Sequence, residues 1–139
     1  LRILVITTSV DIVTKKKLNI LIQLAMADKD FASAERALIY RIAREKNYPE
    51  EAVDDLIEHP ESIGTLGALS EKQKLDYLLS SVELVLADHK VHEREVIFMQ
   101  SIAIKLGFLK NVVAYLLANF GKMSVEDLRL QVTGNYRLT

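Results

Sequence analysis

The stretch Leu18–Ile57, LNILIQLAMADKDFASAERALIYRIAREKNYPEEAVDDLI, returns without insertion as Leu78–Leu117, LLSSVELVLADHKVHEREVIFMQSIAIKLGFLKNVVAYLL, sixty positions later. Nine of the forty paired positions are identical: Leu18/Leu78, Leu24/Leu84, Ala27/Ala87, Asp28/Asp88, Glu35/Glu95, Ile42/Ile102, Ala43/Ala103, Val53/Val113 and Leu56/Leu116. Seven of the nine are apolar or small, as a shared packing pattern requires. Asp28/Asp88 and Glu35/Glu95 are acids held at one spacing in both copies, and packing does not account for them.

Outward from the repeat, apolar residues recur mainly at helical spacing, and only Leu1–Thr8 resembles a strand. The first helix is expected over about Ile12–Ala27, with Leu18, Leu21, Ile22 and Ala25 on one stripe. Asp28-Lys29-Asp30 breaks it, and a second helix opens near Ser33 with Leu38, Ile39, Ile42 and Ala43 inward. Tyr48-Pro49 marks the start of a third, Glu50–Glu58, which buries Val53, Leu56 and Ile57 and stops before Pro60. Residues 59–70 contain Gly64 and Gly67 and read as the linker between copies. Ser70 with Gln73 has the capping-box form and opens a helix carrying Leu75, Leu78, Leu79, Val82 and Leu86. Glu93–Leu106 closes at Gly107, Leu109–Phe120 ends at Gly121, and Ser124 caps a last helix, Val125–Val132. The expected fold is all-α: a compact bundle of about seven helices, built from two three-helix units around a pseudo-twofold axis. Two copies are too few for an open solenoid, so residues 1–139 are expected to form one domain.

A chain of 139 residues is long enough to bury about two-thirds of its unfolded surface. It has no cysteine, which excludes disulfides and thiolate chemistry. Net charge −1 argues against a general nucleic-acid binder. Ten acids oppose five bases over residues 28–61, so the first copy is the acidic one and could attract a cation or basic partner. The apolar run at Leu1–Thr8 is too short to span a bilayer and falls short of a secretory signal. With no export signal and no cysteine, a cytoplasmic location is expected. The leucine at position 1 leaves room for a missing upstream piece.

Both copies set Ala-Asp at the end of one helix and a glutamate seven residues after the aspartate, inside the next. A helical hairpin can bring the two acids together. Ionised carboxylates repel, so a site that gathers them gains a cation or a proton, and oxygen donors without cysteine favour calcium or magnesium. An alternative of equal physical standing is that the acids accept backbone hydrogen bonds and meet the positive end of a helix dipole. An EF-hand is ruled out: Ser33 stands at its glycine position, Ile39 at its bidentate glutamate, and Lys90 at the second ligand of the later copy. His89 and His92 lie three apart beside Asp88, Glu93 and Glu95, a spacing that can bind zinc or nickel on one helical turn; two exposed histidines are the ordinary expectation.

The arrangement Ala-Asp, a short turn and a Glu seven positions after the Asp, duplicated in an all-helical chain, resembles the tellurite-resistance protein TerB and TerB-like domains. The resemblance runs over roughly Leu18–Phe120 and is strongest at Leu24-Ala25-Met26-Ala27-Asp28 with Glu35, and at Leu84-Val85-Leu86-Ala87-Asp88 with Glu95. It implies a compact helical fold and an acidic cluster that holds a divalent metal. By carry-over the ligands are Asp28, Asp30 and Glu35, then Asp88 and Glu95, while Glu93 is an addition from this sequence alone. Related domains also occur as modules of other proteins, including membrane-associated co-chaperones. Lys29 and His89 stand where the family pattern has glycine, and Lys90 where an acid is common.

Three functions follow in order of expectation. The first is a non-enzymatic binding module whose acids take a divalent cation or a basic partner. The second is a structural or interaction module, in some form a homodimer, with the acids as helix caps. The last is a hydrolase with a carboxylate-bound metal, for which the sequence offers no companion base, phosphate loop or nucleophile elbow.

Overall fold

The computed structural model describes residues 2–27 and 31–138, with side chains from residue 12 onward. The fold is all-α, with seven helices and no strand among the described residues. The chain divides into two compact units, Leu1–Ile63 and Gly64–Thr139, and each carries one copy of the repeat.

The first unit holds α1 (Arg2–Ala25), α2 (Ser33–Glu45) and α3 (Glu50–Glu58), each packed on the other two. Their buried stripes follow the apolar periodicity: Leu18, Leu21, Ile22 and Ala25 on α1, Leu38, Ile39, Ile42 and Ala43 on α2, Val53 and Leu56 on α3, where Ile57 is only half-buried. One expectation is corrected here. The strand-like start is helical, and α1 runs from Arg2. An apolar run this short fits either period, and its continuity with the helix behind it decides the outcome.

The second unit holds α4 (Glu71–Leu86), α5 (Glu93–Lys105), α6 (Val112–Asn119) and α7 (Val125–Asn135). Helices α4, α5 and α6 pack together as α1, α2 and α3 do, and α7 is added against α6. Ser70 opens α4 by accepting the Gln73 N–H at 3.1 Å, while the Gln73 side chain accepts the Ser70 N–H at 2.9 Å. Ser124 opens α7 through the Asp127 N–H at 3.0 Å. Three apparent helix residues, Leu109–Asn111, lie outside α6. The Leu109 N–H reaches the Tyr136 carbonyl at 2.8 Å, and the Leu138 N–H the Gly107 carbonyl at 2.9 Å. This clasp, with the Arg137–Glu71 ion pair, holds the C-terminal tail to its own unit.

Helices α2 and α5 end in the same way. The Tyr48 N–H reaches the Ala43 carbonyl at 2.8 Å and the Asn47 N–H the Arg44 carbonyl at 3.1 Å. The Phe108 N–H reaches Ala103 at 2.9 Å and the Gly107 N–H reaches Ile104 at 3.0 Å. These are paired Schellman closures, with Asn47 (φ 56°) and Gly107 (φ 91°) in the left-handed region. The next residues, Tyr48 and Phe108, are buried. The repeat thus preserves a helix stop as well as an apolar stripe.

Candidate functional site

Glu35 and Glu95 are the third residues of α2 and α5. That position lets a glutamate reach back over the first turn to the N-cap amide. Glu35 Oε1 accepts the Ala32 N–H at 2.9 Å, and Glu95 Oε1 accepts the His92 N–H at 3.3 Å. Both side chains are buried, at 1% and 0% exposure. A carboxylate taken from water needs hydrogen bonds and positive potential around it. The exposed amides of a helix start supply both, with a dipole term of about 0.3–1 kcal/mol at the surface and more where solvent is excluded. Ala32 has no side-chain acceptor to return a bond, so Glu35 forms half of a capping box.

The turn before α5 is described in full. Asp88 is half-buried, and its Oδ1 accepts the Lys90 N–H at 3.1 Å, closing a small aspartate turn. His89 follows with φ 62°, in the left-handed region that favours glycine. His89 and Glu93 are exposed, while His92 is the N-cap of α5 with its Nε2 buried. In the first copy Glu35 occupies the matching place, whereas Asp28 and Asp30 lie outside the described residues. Among the described residues no three histidine, aspartate or glutamate side chains gather closely enough to hold a metal ion. Asp88, His89, His92, Glu93 and Glu95 are among those residues and form no such group.

Two features off the junctions have chemical character. The exposed face of α3 carries Glu50, Glu51, Asp54, Asp55 and Glu58. Asp54 accepts the Tyr40 hydroxyl proton from α2, and Asp55 pairs with His59 at 3.5 Å. Burial, and next the bond to Asp54, push the Tyr40 pKa up to about 12. Lys15 of α1 bridges to Glu61 at 2.7 Å, and that contact raises the lysine pKa. Asn19 holds the same Glu61 by both backbone groups, at 2.8 and 3.0 Å, so the start of the linker is tied to α1.

The second feature escaped the periodicity altogether. Ile97 and Ile104 of α5 are 56% and 46% exposed. Apolar counting assigns isoleucines to a core, and the signal that separates these two is their offset from the buried stripe Met99, Ile102 and Ala103. The sixty-residue comparison adds a second signal, because Ala37 and Arg44 fill their places in the first copy. No helix among the described residues is long and apolar enough to cross a membrane. Compared with family models, with curated proteins and with solved structures, the chain has no significant match.

Proposed function

We propose that this chain is a non-enzymatic, TerB-like helical module that acts by binding a protein partner, its duplicated glutamates serving the helices and not a metal. The observation that carries this reading is the matched pair Glu35 and Glu95. Both are buried, and each holds the amide of the residue that begins its helix. The resemblance gains support from His89, whose left-handed backbone is the conformation that a family glycine would favour. A role in tellurite resistance does not follow, since function belongs to sites and not to folds.

A second reading gives the first copy a divalent cation, calcium or magnesium, or a basic partner. The acidic exposed face of α3 favours it. Melting temperature followed during titration with calcium, magnesium, manganese and zinc separates the two. The module reading expects no shift specific to one metal. A bound cation at a hundred times its dissociation constant would add about 2.7 kcal/mol. Such a shift, lost in Asp28→Asn with Glu35→Gln, would overturn the module reading in favour of the metal.

A further inference from the structure

We infer that the outward stripe Ile97–Ser101–Ile104 of α5 is the docking surface of this module, and that its occupant is an amphipathic partner helix with acidic residues along one edge. The inference rests on the module reading above and names the surface it uses. Ile97 and Ile104 stand seven residues apart, only about 20° from one another around the helix. Exposed Ser101 lies between them, so the three make a shallow ridge-and-gap line suited to knobs from a second helix.

The repeat shows that the fold does not require this line. Its counterparts on α2 are Ala37, Arg41 and Arg44, all exposed. The same helix, with the same N-terminal glutamate and the same Schellman stop, is built there without a large apolar residue outward. Isoleucine is also a weaker helix former than the alanine and arginine that replace it.

Charge selects the occupant. At about 100° per residue, Arg94 and Lys105 border the stripe about 60° and 80° to one side, and Glu93 and Gln100 border the other. Arg94 and Lys105 are exposed, and neither forms an ion pair among the described residues. A second copy of α5 docked antiparallel about a twofold would bring this basic edge against itself. Docked parallel, it would pair Arg94 with Glu93 but set Gln100, not an acid, opposite Lys105, so only one of the two cations would meet a carboxylate. A helix with carboxylates on the facing edge meets the two cations without that repulsion.

A display library of amphipathic helical peptides, selected on the full chain, tests this directly. Enriched peptides should carry apolar residues at i, i+3 or i+4, and i+7, with aspartate or glutamate along one edge. Ile97→Ser with Ile104→Ser should weaken their binding about tenfold or more, with helical content and melting unchanged. Arg94→Glu with Lys105→Glu should shift enrichment from acidic to basic edges. Peptides that bind with undiminished affinity after the isoleucine changes would leave the module reading standing and overturn this surface. Enrichment indifferent to edge charge would overturn the stated chemistry. Concentration-dependent dimerisation abolished by the isoleucine changes would replace the partner helix by a second copy. Absence of any enrichment would count against the surface and the module reading together.

Discussion

At the scale of the residue, environment decides what each polar group does. The hydroxyl of half-buried Tyr40 donates to exposed Asp54, and the fold therefore favours the protonated phenol. Its folded pKa, about 12, lies above the ordinary 10.0. The associated stability is whole below pH 10 and is lost as pH rises toward about 12. An absorbance titration of the phenolate should show Tyr40 ionising late, and Asp54→Asn should move it down without fully restoring 10.0, because burial, the larger cause, remains. His89 offers the opposite case, a residue whose backbone suits another side chain. His89→Gly should raise stability to urea by about 0.5–1 kcal/mol, relief of the left-handed strain exceeding the added freedom of the unfolded chain. A loss of stability would show that the imidazole contributes more than its backbone costs.

At the scale of the element, stops and starts are repeated as faithfully as the apolar stripes. Gly107 closes α5 at φ 91°, and a Cβ added there would meet nothing within 4 Å. Gly107→Ala should therefore cost about 1–2 kcal/mol, all of it backbone strain, with the core unchanged. Chemical denaturation checks the size, and unaltered chemical shifts for Met99 and Ile102 check the cause. Local signals of this kind explain what was legible in the sequence. Helix α3 spans Glu50–Glu58 as its flanking prolines indicate, and α2 and α5 open at Ser33 and Glu93. Long-range contacts explain the rest. Leu109 lies ahead of its helix, where its amide meets the carbonyl of Tyr136, twenty-seven residues away, which no window on the sequence reveals. The outward turn of Ile97 and Ile104 was hidden for a related reason: periodicity counts apolar residues without knowing which are covered.

At the scale of the whole molecule, two copies of one three-helix plan have kept their junction glutamates and let their surfaces diverge. The first copy is acidic outside, on α3; the second has an apolar line on α5 and a seventh helix. The paired acids could be located from sequence, but their role could not, because cap and ligand differ only in burial and in the partner each oxygen meets. Glu35 and Glu95 cap α2 and α5 by accepting the Ala32 and His92 amides. Amide hydrogen exchange at Ala32 and His92 tests this claim most directly, compared among the parent chain, Glu35→Gln with Glu95→Gln, and Glu35→Ala with Glu95→Ala. Glutamine keeps an acceptor oxygen, so both amides should stay protected there. In the alanine pair they should exchange about ten to a hundred times faster, the equivalent of about 1–3 kcal/mol for a lost buried hydrogen bond. A chelator should change neither rate. Equal protection in all three proteins, or protection that falls when divalent cations are removed, would contradict the claim.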